Sequence, residues 1–176
     1  MARVIADMTM SLDGFIPDPA DGIGELFGWF GNGDVETTTH NEAITFRTTG
    51  ASAAVLRDAL ENVGALVCGR RLYDLTHGWG GSHPTGAPIF VVTHEAPAEP
   101  FAPGATFVTD GVASAVAPAE EAAGDGVVSV ASAAITQQCL VAGLLDEVSV
   151  PSVVAVGGVT VGPALRHARD GVPAAS

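Results

Sequence analysis

The sequence contains no lysine, and its seven basic residues are all arginine. That absence removes several chemistries together: a P-loop needs its lysine, and a pyridoxal-phosphate enzyme needs one for the Schiff base. Positive charge is scarce altogether. Twenty acids stand against seven arginines, a formal net charge of −13, so no basic face is available to release counterions from nucleic acid. Long apolar runs are missing as well. Met1 to Met10 alternates apolar and polar residues, carries Arg3 and runs into acids and prolines, unlike the core of a signal peptide. No stretch approaches the length of a membrane span. A cytoplasmic protein is expected, with no nucleic-acid and no membrane partner. Cysteine is limited to Cys68 and Cys139, each within an apolar stretch, and two buried thiols are expected ahead of a disulfide or a nucleophile.

What is present suits one folded unit. A chain of 176 residues, 47% hydrophobic and 15% charged, is long enough for a single core and far from a disordered composition. Twenty-two glycines and eleven prolines fit many short elements joined by turns.

Arg3 to Met10 reads as a strand closed by the turn signal Asp13-Gly14. Gly22 to Asp34 sets Phe27, Trp29 and Phe30 among five glycines, the composition of a loop that covers a ligand. Ala53, Leu56, Ala59, Leu60 and Val63 recur at helical spacing, with Ser52 as the cap and Gly64 as the stop. Ala65 to Gly69 is apolar throughout, and Pro88 to His94 is apolar up to Thr93, as strands in the middle of a covered sheet are. Arg70 to Leu75 is a short helix. After the strand Phe107 to Asp110 comes a helical stretch from Gly111 to Ala123, interrupted by Pro118. Val127 to Ala131 is the next strand, Ala133 to Ala142 a helix, and Asp146 to Val154 a strand containing Pro151. This alternation predicts an α/β domain with a mostly parallel, twisted sheet and helices on both faces.

Several motifs fail. Gly22-Ile23-Gly24 resembles the start of a dinucleotide fingerprint, but Phe27 stands at the third glycine and no strand leads directly into it. His77 and His83 match no metal-ligand spacing and have no further His or Cys nearby. No serine sits in a GxSxG elbow. The pair Arg70-Arg71 is more informative. It follows a strand and opens a helix, where backbone amides and the helix dipole already favour an anion, and a nucleotide phosphate would suit it. The plainer alternative is that both arginines pair with surface acids.

Five pieces then occur in order: Met10-Ser11-Leu12-Asp13-Gly14-Phe15-Ile16, Val67-Cys68-Gly69-Arg70-Arg71-Leu72-Tyr73-Asp74, Phe90-Val91-Val92-Thr93-His94, Val127 to Ile135, and Ala142-Gly143-Leu144-Leu145-Asp146-Glu147-Val148. In this combination the chain resembles the dihydrofolate reductase-like superfamily, and within it the bacterial riboflavin-biosynthesis (RibD) C-terminal reductase domain family, over residues 1–151. The resemblance implies a three-layer α/β/α fold and an NADPH-dependent reductase. It places Ser11 and Asp13 at the reacting ring, Asp13 orienting an amino-pyrimidine or relaying a proton. Without the resemblance Asp13 reads as an ordinary Asp-Gly turn. Met10, Trp29 and Phe30 would line the substrate, the two rings as a stacking lid. Gly69, Arg70, Arg71 and Leu72 would meet the cofactor phosphates, with arginine accepting a 2′-phosphate and so selecting NADPH over NADH. Thr93 and His94 would lie along the adenosine, and Ala131, Ser132 and Ala133 along the pyrophosphate. Two positions depart from the family: relatives carry Thr where Leu72 stands and Gly-Gly where Ala131-Ser132 stands.

The implied activity is hydride transfer from NADPH to a small heteroaromatic or conjugated substrate. The family's named reaction reduces 5-amino-6-(5-phosphoribosylamino)uracil, but so few basic residues leave no second anion site, which favours an unphosphorylated substrate. Two other classes stay open: an NADPH-binding sensor or degenerate paralogue without turnover, and a structural partner that docks through an exposed Trp and Phe loop. The resemblance stops near Pro151, and no aromatic residue follows Phe107. Residues 152–176 therefore read as a divergent tail of the kind a frameshift or truncation produces. Val153 to Val161 would be an incomplete strand, the closing hairpin would be incomplete, and the homodimer usual in the family would be weakened.

Overall fold

The N-terminal strand β1 (Arg3–Asp7) and the short β2 (Met10–Ser11) are separate elements. The computed structural model of the protein describes residues 1–11, 24–150, 152–156 and 159–161. Next come α1 (Gly24–Phe27), a 3-10 turn (Gly28–Gly31), β3 (Val35–Thr38), β4 (Thr45–Thr48) and α2 (Gly50–Asn62). β5 (Val63–Gly69) leads into α3 (Arg70–Leu75) and a second 3-10 turn (His77–Gly81). The remainder is β6 (Ile89–Val92), β7 (Thr106–Val108), α4 (Val112–Ala123), β8 (Val127–Ala131), α5 (Ala133–Val141), β9 (Glu147–Ser149), β10 (Ser152–Val156) and β11 (Val159–Val161).

Six strands form the central sheet in the order β7-β6-β5-β8-β1-β9, and every pairing in it is parallel. Alternation along β5 explains its wholly apolar sequence. Ala65 and Val67 face α4 and α5, packing with Val116, Ala119, Ile135 and Cys139. Leu66 and Cys68 face the opposite layer, where Tyr73 of α3 and Ala102 cover them. Both faces are dry, so nothing polar is tolerated between Ala65 and Cys68. Burial pushes the Cys68 thiol up to about 12 and raises that of Cys139, and both cysteines are free and buried.

Several boundaries differ from expectation. The strand expected over Arg3 to Met10 breaks after Asp7, and β2 leaves the sheet to pair in parallel with β10. The strand expected over Asp146 to Val154 divides in the same way: β9 joins β1, while β10 pairs with β2 and with β11. Pro151 lies between them and cannot donate to a ladder, which suits a change of sheet. Val153 to Val161 are thus not one strand but two, antiparallel over the three pairs Val154↔Val161, Ala155↔Thr160 and Val156↔Val159. Three pairs make only a short hairpin, in keeping with the incomplete closing hairpin expected from the sequence.

The cap of α2 is Thr49 rather than Ser52: its hydroxyl accepts from the Ser52 amide at 3.4 Å, and Ser52 is buried. Nor does Gly64 stop the helix, since Val63 is its C-cap and already belongs to β5. Pro118 does not interrupt α4. The helical bond it lacks is the one to the Ser114 carbonyl, and Ser114 is exposed, so water can take that role. Among the described residues no helix is long and apolar enough to cross a membrane.

Candidate functional site

The strand order places a crevice before any side chain is considered. From β5 the chain moves outward through β6 to β7, whereas from β8 it moves through α5 to β9, on the other side of β1. The direction therefore reverses between β5 and β8. In open α/β sheets ligands bind outside the carboxyl ends of the strands at such a reversal. Gly69 ends β5 and Ala131 ends β8. Thr93 follows β6, and Met10 lies shortly after β1. Because all these strands are parallel, the segments leave the same edge of the sheet.

One hydrogen bond ties the two lips together. The Gly69 amide donates to the Ser132 hydroxyl at 3.1 Å. Space at Gly69 is tight: a Cβ there would stand 3.1 Å from Ser132 Oγ and 3.3 Å from Ile135 Cγ1. A side chain would have to push aside Ser132 and Ile135, where strand and helix approach one another. Ser132 is the N-cap of α5, yet its side chain makes no capping bond to its own helix. Its φ of 148° and ψ of 138° lie in a region that glycine adopts freely and other residues seldom do. Strain of that kind costs about 1–3 kcal/mol and gathers at functional sites. The first-turn amides of α5 are left without a side-chain cap at the crevice, while the Thr136 amide already bonds the Ser132 carbonyl at 2.9 Å.

The basic pair is divided. Arg70 Nε donates to both Asp74 carboxylate oxygens at 2.8 and 2.9 Å, and Nη1 donates to the Glu95 carbonyl at 3.1 Å. The Thr93 hydroxyl donates to that same carbonyl at 2.9 Å. Arg70 thus joins α3 to the segment after β6, and the pairing with an acid that the sequence left open holds for it. Arg71 and His94 are exposed, and Ala131 and Ala133 sit on either side of Ser132. Leu72 turns inward against the Tyr73 and Ile89 cluster, so its side chain supports the crevice wall from behind.

The residues expected at the substrate divide into three groups. Asp13 lies outside the described residues. Ser11 pairs with Val153 and Met10 with Ser152 through the β2–β10 ladder, and Met10 is half-buried. Trp29 is not exposed. It is 3% accessible and packs with Leu26 and Leu56, so the exposed Trp and Phe contact loop is replaced by a core cluster. Its ring centroid lies 4.1 Å from Phe30, which stacks at 4.4 Å on Phe46 of β4. The hairpin that supplies Phe46 had no place in the sequence reading. Its alternation could have revealed it: Thr37 and Thr48 are buried on one face, while Glu36 and Arg47 pair at 2.8 Å on the other. Trp29 Nε1 and the Thr37 and Thr48 hydroxyls are buried without a hydrogen-bond partner.

His77 and His83 belong to a structural turn. His77, Gly78, Trp79 and Gly80 have φ of 49°, 57°, 52° and 69°, a left-handed run that needs outside support. Asn41, between β3 and β4, donates to the Trp79 and Ser82 carbonyls at 2.7 Å each. The His83 ring meets Trp79 edge-on at 4.8 Å, and Nδ1 accepts from the Thr85 amide at 3.3 Å. Burial lowers the His83 pKa to about 4, so the ring is a neutral acceptor at neutral pH. Among the described residues no group of three or more His, Cys, Asp or Glu is placed to hold a metal.

No protein-family model matches the chain, and no curated protein matches it in sequence. Among solved structures the chain is similar to a protein from Shewanella sp. PV-4 provisionally named for riboflavin biosynthesis. The TM-score is 0.60 at 20% identity, over 97% of this chain and 86% of that one. At that identity the likeness concerns the fold. The α/β architecture expected from the sequence, a mostly parallel sheet covered by helices, is the one this chain adopts.

Proposed function

We propose that the protein is an NADPH-dependent reductase acting on a small, unphosphorylated heteroaromatic or conjugated substrate. The observation that carries this reading is the bond between the Gly69 amide and the Ser132 hydroxyl across the β5–β8 reversal. It supports a site for the cofactor pyrophosphate, because it holds the two lips together beside the start of α5, whose first-turn amides have no side-chain cap and are open to an anion. Arg71, Arg70 and the lip formed by Thr93 and His94 would hold the adenosine end. Bound NADPH supplies the hydride. The chain's own part is to position and to exclude water. Met10 and Phe30 would flank the substrate ring, and Asp13 would orient its polar edge or hold a proton there. The solved relative's name, which refers to riboflavin biosynthesis, supports a reductase of this general kind.

The test is direct. Fluorescence titration should show NADPH binding more tightly than NADH, and a panel of pterins, pyrimidines and quinones should include one that accelerates NADPH oxidation. Tight NADPH binding with no oxidation across the panel would favour a sensor. No binding of either nucleotide would sink the proposal.

A further inference from the structure

We propose that Asp74 sets how strongly the mouth of the crevice discriminates a 2′-phosphorylated nucleotide from an unphosphorylated one, by offsetting the charge of the Arg70 it holds. The proposal rests on the reading of the crevice as an NADPH site. Among the five described arginines, Arg3 pairs with Glu147 and Arg47 with Glu36, both away from the mouth, and Arg57 lies on α2. Among the described residues, the arginines that follow the end of β5 are Arg70 and Arg71.

Arg70 is committed on its Nε edge to both oxygens of Asp74, and on Nη1 to the Glu95 carbonyl. The side chains of Arg70 and Asp74 are 36% and 42% exposed, so an incoming phosphate can still reach the rest of the guanidinium. It would then feel two opposite charges at similar distances. Attraction to Arg70 and repulsion from Asp74 fall off in the same way and largely cancel. Asp74 thus fixes the guanidinium in place while removing most of the charge that would read a 2′-phosphate. No contact between Asp74 and the nucleotide is required, which makes it a specificity-determining residue and not a catalytic one.

Substituting Asp74→Asn keeps an oxygen that can accept from Nε and deletes the charge. The ratio of NADPH to NADH affinity, measured by fluorescence titration of the full chain, should rise about tenfold, the equivalent of ~1.4 kcal/mol. Arg70→Ala alone should lower the ratio, because the repulsion from Asp74 is then unopposed, and adding Asp74→Asn should restore it. The gain should also shrink as salt is raised, because a half-exposed charge is screened. A residue that merely shaped the helix would alter both nucleotides together and leave the ratio where it was. Asp74→Ser serves as a second variant where Asn disturbs α3. An unchanged ratio in both variants, or a lowered ratio in Arg70→Ala that Asp74→Asn does not restore, overturns the proposal while leaving the NADPH site intact. Failure of the unmodified protein to bind either nucleotide removes the NADPH site first, and the role of Asp74 with it.

Discussion

The crevice lips and the aromatic cluster are built on opposite principles. At the lips, Gly69, Ser132, Arg70, Asp74 and Thr93 are half-buried and joined by hydrogen bonds, and one of them is held in a backbone region that disfavours a side chain. In the cluster, Trp29, Leu26 and Leu56 are buried behind Phe30 and Phe46, and the polar atoms among them have no partner. The lips spend stability to hold polar groups ready. The cluster supplies stability by excluding water. A substitution should therefore act on affinity in the first region and on folding in the second.

The largest effect that could break this contrast is at Trp29. Truncation of Trp29 to Ala should cost about 3–5 kcal/mol of unfolding free energy, the range for a large buried ring. Trp29→Phe, which deletes the unpartnered Nε1, should cost far less. Denaturant melts of the three proteins decide it, and a Trp29→Ala variant that stays stable but loses ligand affinity would move Trp29 into the lips' class.

Acid provides the next test. In the folded chain the His83 pKa is lowered to about 4 from 6.5, by burial. The unfolded chain consequently takes up its proton first as pH falls. Stability from this group is intact above pH 6.5, declines as pH drops towards 4, and levels off below. The total loss is about 3 kcal/mol at 1.36 kcal/mol per pH unit. His83→Asn should flatten that part of the stability profile between pH 7 and 4, and a profile unchanged by the substitution would remove His83 as its cause.

The smallest effect sharpens the comparison most. Ser132→Gly relieves a φ of 148° but loses the hydroxyl bonded to Gly69, whereas Ser132→Ala loses the bond and keeps the strain. The glycine variant should be more stable than the alanine variant by about 1–2 kcal/mol. Equal stabilities, read from thermal melts, would mean that the backbone there is not strained.

Much of this was legible in the chain because burial on both faces forces a simple sequence. β5 and β6 read as strands since nothing polar survives between two covering layers, and β8 departs from that only at the half-buried Ser129. The start of α3 was legible from Gly69 and the arginines that follow. The Arg70–Asp74 pair could have been read too, since four residues separate them on a helix. The β3–β4 hairpin was missed because threonine-rich alternation such as Val35-Glu36-Thr37-Thr38 is weakly apolar, and its inward face becomes visible only once Trp29 and Phe30 occupy it. Trp29 itself misled for the same reason. Rings among glycines suggest a loose cover until the helix and hairpin they pack on are known. The exchange of strands at Asp7 and Pro151 depends on pairing between distant segments, which no local pattern records.

The position of β1 has a consequence for how the chain is made. Residues 3–7 are synthesised long before their neighbours, which are β8, at residues 127–131, and β9, at residues 147–149. A ribosome-bound chain must therefore carry an unpaired apolar strand until most of it has emerged, and neither edge of that strand can be satisfied by anything nearer in sequence. Contacts so far apart form slowly and leave intermediates prone to self-association. Yield in a cell should depend more on chaperone capacity during elongation than on the stability of the finished domain.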